Sequence, residues 1–328
     1  FWQAPYVYVA GTDAGLYVVD ATDPGNPTLV NHLLSNQMGG INPAQVFALG
    51  NLLVLTEARS NSYATMDISN PTAPQLLNNY TGLKGYSHLF AAGKLFTSGN
   101  SAPNQLAVHN ISHEGEISFI GVTGSNLGAG GYSTYQDGYI HSGFSSKYAK
   151  FDIANLTMVG SGTSGVENND EDFAHALGNL VFVGDDHGKA SGLIVHQAAA
   201  DTTGPEVHWV HPQDGATNMA LTSRVGVSMS DNIDIDSVSS ATFTVRPIGG
   251  QPLTGKYSLQ FGLVNFSPDA PLQPGTTYEL IVNGLKDYVG NSGGSFSSTF
   301  STAGASSDFP SCTLNSLAPA EVGTSITF

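Results

Sequence analysis

Val46-Phe47-Ala48-Leu49-Gly50-Asn51-Leu52-Leu53-Val54-Leu55 reads as two apolar strands folded about a glycine turn. The same phrase returns three times: residues 89–96 around Gly93, 133–140 around Gly138, and 173–182 around Gly178. The four glycines are spaced 43, 45 and 40 residues apart. A tight hairpin often needs φ > 0 at such a position, which glycine adopts at little steric cost.

A second marker keeps the same beat. Val19-Asp20, Met66-Asp67-Ile68, His109-Asn110-Ile111 and Phe151-Asp152-Ile153 each end a strand and lead into a turn-rich stretch. An Asp or Asn there bonds its own backbone and fixes the turn. A short apolar strand follows most of them, so each period holds about four strands, and none of this region shows a 3.6-residue apolar period. Four strands per 40 to 45 residues is the arithmetic of a β-propeller blade. The first 198 residues therefore read as about five visible blades of a propeller whose full ring holds five to seven. The first blade is expected to lack an inner strand and the last an outer one. Both ends of the chain accordingly read as cut from a longer polypeptide.

Gly15-Leu16-Tyr17-Val18-Val19-Asp20-Ala21-Thr22-Asp23-Pro24-Gly25-Asn26-Pro27 resembles the LVIVD repeat of bacterial and archaeal surface proteins, and residues 66–74 repeat the signature. Asn110 departs from the pattern in the third blade, as does His196 in the fifth. The resemblance implies a propeller on the cell surface and no agreed activity.

Residues 199–205 read as a linker, and 206–304 as a second all-β domain with about seven short strands, the count of an antiparallel sandwich. Pro212-Gln213-Asp214-Gly215-Ala216, Phe266-Ser267-Pro268, residues 272–278 and Leu285-Lys286-Asp287-Tyr288-Val289-Gly290-Asn291 resemble the bacterial Ig-like domain of surface and S-layer proteins. Such domains act as spacers or adhesive modules in tandem arrays. Residues 305–328 read as a linker and the start of a further β domain.

Charged residues are 11% of the chain and the net charge is −16, with only ten Lys and Arg. That balance excludes a phosphate-tracking nucleic-acid surface, which needs a basic stripe, and equally a docking face for anionic lipid. The single cysteine, Cys312, precludes a disulfide within the chain. No apolar run reaches the roughly 18 residues of a membrane span.

Three groups of residues invite a chemical reading. His88 and His175 precede their turn glycines by odd offsets, so both leave their strands on the same side, toward the propeller channel. With Asp185 and His187 in a neighbouring loop they form a candidate transition-metal site; the other reading is that these histidines bond backbone carbonyls between blades. Asp231, Asp234 and Asp236 have the oxygen density of a calcium loop without an EF-hand's glycine and terminal glutamate, or equally cap the turn that follows. Calcium is the one cofactor suggested. Residues 168–172 are acidic and read as a solvated loop. No nucleophile elbow, zincin, haem or phosphate-loop motif is present.

The function expected is a secreted or cell-surface structural and binding module, bacterial and non-enzymatic, for adhesion, matrix, filament or lattice assembly. The propeller is its interaction face and the Ig-like domain its spacer. Partners are proteins or glycans at the cell surface, or further copies of the chain. The alternative is a metal-binding enzyme or redox accessory protein that uses the channel histidines.

Overall fold

A computed structural model describes residues 1–58, 60–99, 105–163, 171–185 and 191–304. Five antiparallel sheets follow one another in chain order. Blade one holds Trp2–Gln3, Tyr6–Ala10, Leu16–Asp20 and Thr28–Leu33; blade two holds Gln45–Leu49, Leu52–Thr56, Ser62–Asp67 and Gln75–Thr81. Blade three holds Gly85–Ala91, Lys94–Gly99, Leu106–Ile111 and Ile117–Thr123; blade four holds Gly130–Gln136, Tyr139–Phe144, Tyr148–Asp152 and Thr157–Gly162. Blade five holds Phe173–Leu177, Leu180–Gly184 and Ser191–Val195, three strands among the described residues, and is tied to blade four by a parallel bridge from Tyr132 to Phe173.

The markers do the work their residue types suggest. Gly50, Gly93, Gly138 and Gly178 all have positive φ, between +57° and +81°. Asp20, Asp67 and Asp152 each accept a hydrogen bond from the backbone N–H two residues on, at 2.8, 2.7 and 2.9 Å. One expectation is corrected: blade one does have an inner strand. Trp2 pairs with Val7 and Gln3 with Tyr6, and two residues are too few to show a periodicity.

Blades pack face to face. Tyr8, Leu16 and Val18 of blade one share a core with Ala48, Leu53, Leu55, Ala64 and Met66 of blade two. Phe47, Val54 and Tyr63 continue the core into blades three and four, and Tyr148 of blade four covers Ala174, Ala176, Val181 and Val183 of blade five. Strand register makes Tyr8, Val54, Phe96, His141 and Phe182 equivalent, all on the face turned to the next blade. The first four are buried, but Phe182 is 45% exposed. The residues one position on, Val9, Leu55, Thr97, Ser142 and Val183, face the preceding blade; all are buried except Val9, which is 42% exposed. Among the described residues, the facing sides of blade five and blade one are thus left half-exposed where the other blades cover each other.

The second domain is a sandwich of two four-stranded sheets. One runs Val207–His211, Val225–Met229, Leu263–Pro268, Gly255–Gln260; the other runs Ala216–Met219, Ser295–Thr302, Thr277–Asn283, Phe243–Pro247. Val225, Val227, Val264, Phe266, Phe243, Leu280 and Phe300 fill the space between them. Among the described residues no helix is long and apolar enough to cross a membrane.

Candidate functional site

The two central strands of the first sheet of the sandwich, Val225–Met229 and Leu263–Pro268, are buried on both faces. Strand alternation sends Val264 and Phe266 into the sandwich core, while Leu263 joins the propeller core and Asn265 bonds blade two. The turn glycines of the repeat are the surface the sheet docks on. Asn265 accepts from Gly50 N–H at 2.8 Å and donates to Ala48 O at 3.1 Å. Beside Gly93, Trp209 stacks on His113 at 4.4 Å and meets Phe90 edge-on. Asp137 N–H donates to Ser230 O at 2.7 Å, and Gly178 lies against Val289. The turns of blades two to five therefore all touch the sandwich.

Above this platform lies a cavity of about 600 Å³, a size suited to a small ligand or peptide side chains. Its wall takes residues from every blade, among them Val9, Phe47, His88, Thr134 and His175, and Phe261 from the sandwich reaches it as well. Phe261 is at the tip of the hairpin between Gly255–Gln260 and Leu263–Pro268 and packs edge-on against Phe47, with centroids 5.9 Å apart.

His88 and His175 both line this cavity. His88 is buried, its Nδ1 is 3.2 Å from Gln45 Oε1, and its Nε2 has no hydrogen-bond partner among the described residues. Burial, helped by His109, pushes its pKa down to about 3, so the ring is neutral. Burial also lowers His175, whose ring lies parallel to that of Phe173. Asp185 is half-buried after the second strand of blade five, and His187 lies outside the described residues, as do Asp170 and the 305–328 segment. The acidic stretch is not a solvated loop at its far end: Glu171 and Asp172 are buried between blades four and five.

Of the calcium candidates, Asp234 accepts from Asp236 N–H at 3.1 Å and caps the short turn Ile235–Ser237. Asp231 is buried at the domain junction. Among the described residues, the acidic and histidine side chains that come together in a group of three with ligand atoms all within 4.8 Å of one another are Asp137, Asp201 and Asp231. Burial raises Asp231 to about 7, an effect reduced by the Gln136 hydrogen bond. Burial and then the Asp201 charge raise Asp137 to about 6. Sequence reasoning missed this group because its members are 64 and 30 residues apart and meet only when the sandwich docks.

The LVIVD repeat matches residues 5–34 and 58–82, and the bacterial Ig-like domain matches residues 201–302. The chain is an LVIVD-repeat β-propeller followed by a bacterial Ig-like domain. A comparison with curated proteins finds no match. Among solved structures it is similar to the β-propeller domain of Cps50 (Swd1) from Myceliophteria thermophila, at 8% identity and TM-score 0.45 over 59% of this chain and 67% of that one. The N-terminal part of the bacterial S-layer protein SbsC is similar at 19% identity and TM-score 0.24, over 30% of this chain and 23% of that one. The extracellular domain of a two-component system from B. thetaiotaomicron is similar at 10% identity and TM-score 0.43, over 92% and 43%. The chain spans less than half the length of these last two.

Proposed function

We propose that this chain is a non-enzymatic, extracellular or cell-surface binding and assembly module whose working surface is the open side of the propeller. LVIVD repeats and a bacterial Ig-like domain fit a cell-surface module. One observation carries the assignment of the surface: Val9 and Phe182 hold positions that the neighbouring blade covers elsewhere in the fan, yet are 42% and 45% exposed. Leu193, the cross-strand partner of Phe182, is 51% exposed. Large apolar side chains exposed side by side, as Phe182 and Leu193 are, mark an interaction site. Its residues match those that pack blade on blade, so the occupant it suits is a β-sheet-forming segment of a protein partner, apolar on both faces. The sandwich, seated on four sets of blade turns, serves as the mount from which the fan is presented.

The test supplies such a segment. A copy of blade two, residues 43–82, is fused ahead of Phe1 through a flexible linker. Val9, Phe182 and Leu193 are already about half buried, so covering the rest of each stabilises by roughly 0.7–1.5 kcal/mol. The thermal midpoint of the fusion is expected to rise by about 5 °C or more. Phe182→Asp with Leu193→Asp is expected to abolish that gain. An unchanged midpoint in the fusion overturns the assignment.

The unpartnered Nε2 of buried His88 favours one other reading, a transition metal held with His175 in the cavity of a redox accessory protein. Elemental analysis separates the two. Stoichiometric metal that disappears in a His88→Ala/His175→Ala variant supports the metal protein, and metal-free protein eliminates it.

A further inference from the structure

We propose that the cleft around Arg224, where the sandwich meets blades one and two, binds the carboxylate group of a small organic acid or of a polypeptide C-terminus. The cleft has a volume of about 240 Å³. Tyr6 reaches it from the first hairpin of blade one and Pro71 from the turn before the last strand of blade two. Ser223 and Arg224 line it from the stretch before Val225–Met229, and Asp269 and Pro271 from the stretch after Leu263–Pro268.

Arg224 carries the inference. It is 5% exposed, yet it faces a cleft. Nε donates to Ser267 Oγ at 3.1 Å, its one side-chain hydrogen bond among the described residues. Nη1 is buried and has no partner among them. The guanidinium lies over the Tyr6 ring, 5.4 Å from its centre. Tyr8 and Tyr6 are the groups that act on its charge, and neither is a carboxylate. Arg246 shows the ordinary arrangement: it is far less buried and pairs with Glu279 at 2.6 Å. The chain has 26 Asp and Glu against ten Lys and Arg, but among the described residues no acid is paired with Arg224. A guanidinium cannot shed its proton, so burial is not relieved by neutralising it. A buried charge is stable only when it is paired, and the cleft is the side from which an anion can reach this one.

The wall selects the kind of anion. Ser223 Oγ accepts from Asn51 Nδ2 at 2.8 Å, which leaves its own O–H to donate. A guanidinium edge and a hydroxyl together suit the two oxygens of a carboxylate. One cation balances one negative charge. Exposed Asp269 on the same wall disfavours a dianion such as phosphate. Pro71, Pro271 and the Tyr6 ring offer apolar contact to a body of a few carbons. Because the wall comes from both domains, such a ligand binds the docked arrangement and stabilises it by mass action.

The experiment uses the full 328-residue chain with isotope-labelled arginine, whose three arginines give three Nε–H signals. Sodium propionate and N-acetylglycine are titrated separately, each against sodium chloride at equal ionic strength. The Arg224 signal is expected to move saturably with carboxylate, while the Arg246 signal follows the chloride control. A response to N-acetylglycine alone assigns a polypeptide end and a response to propionate alone a free acid; either supports the proposal. Asp269→Asn changes an exposed residue and is expected to tighten binding about threefold or more by removing a like charge. Arg224→Gln is expected to weaken binding at least about tenfold. A guanidinium that only braces Tyr6 and Ser267 gives no response beyond chloride and no effect of Asp269→Asn. That result at about 50 mM carboxylate, well above a millimolar dissociation constant, overturns the proposal.

Discussion

Replacing Asn265 with leucine is expected to undock the sandwich from the propeller while leaving both cores folded. Asn265 is fully buried and sits on the propeller side of its strand. Its Oδ1 accepts from Gly50 N–H at 2.8 Å and from Gln3 Nε2 at 3.0 Å, and its Nδ2 donates to Ala48 O at 3.1 Å. Leucine has similar volume and no polar atom. Gln3 keeps its bond to Gly50 O at 2.8 Å, but the Gly50 N–H loses its acceptor inside a closed interface. Each buried group left unpaired costs about 1–3 kcal/mol, so a loss of roughly 2–5 kcal/mol is expected. The sandwich core does not include Asn265, so the loss falls on the junction. Calorimetry is expected to resolve two unfolding transitions in the variant and one in the wild-type chain, and the Gly50 amide is expected to exchange faster in the variant. Gly226→Ala tests the same junction by volume, because a Cβ there would lie 2.7 Å from Leu49 Cδ1 and 2.8 Å from Gly50 N. If both variants melt in a single transition at the wild-type temperature, the two domains are not coupled through this contact.

How much of this was legible in the sequence differs from one element to the next. The blade period shows because each hairpin repeats a local demand: positive φ at Gly50, Gly93, Gly138 and Gly178, and an Asp that closes its own turn at positions 20, 67 and 152. Local demands leave local traces. Trp2–Gln3 leaves none, since two residues have no alternation to read. The docking leaves a trace that is easily misread. Val225–Met229 is buried at every position, as a strand covered on both faces must be. Its small residues Gly226 and Ser228 meet blades two and three, yet in the sequence they pass for the polar, solvent side of an ordinary sandwich strand. The calcium candidates illustrate the same limit. Asp231, Asp234 and Asp236 are neighbours in sequence and read as one group for that reason, but Asp234 and Asp236 serve a turn. Asp231 instead meets Asp137, which sequence alone assigns to a hairpin, and Asp201, which it assigns to a linker. Proximity created by two domains docking has no periodicity and no fixed spacing.

Acid is expected to weaken the chain through histidines that burial keeps neutral. Desolvation lowers His88 to about 3, and lowers His109 and His211 to about 4. In the unfolded chain each titrates near 6.5. Below that value the unfolded chain takes up protons that the folded chain refuses. The stability these residues contribute is therefore complete above about pH 6.5 and is lost as pH falls toward the folded values. The slope reaches about 1.4 kcal/mol per pH unit for each residue. His211 links this loss to the domain junction. Its Nδ1 accepts from Asn51 N–H at 3.2 Å and its Nε2 donates to His113 O at 3.2 Å, which fixes one neutral tautomer. A proton on Nδ1 would face the Asn51 N–H and remove that bond. Desolvation dominates; the bond to the His113 carbonyl and the Asp67 and Glu114 charges favour the charged form, the His113 ring opposes it, and desolvation outweighs the favourable contributions. The raised carboxylates Asp137 and Asp231 act in the opposite sense, since their contribution is lost as pH rises. A difference between variants is thus more telling than the raw profile. Glutamine at position 211 supplies an acceptor and a donor and does not titrate. Urea midpoints measured from pH 7.5 to 4.5 are expected to fall more steeply for wild type than for His211→Gln, by about 1.4 kcal/mol per pH unit below pH 6. Parallel profiles for the two proteins would mean that His211 is protonated without cost in the folded chain, and that its bond to Asn51 does not hold the junction.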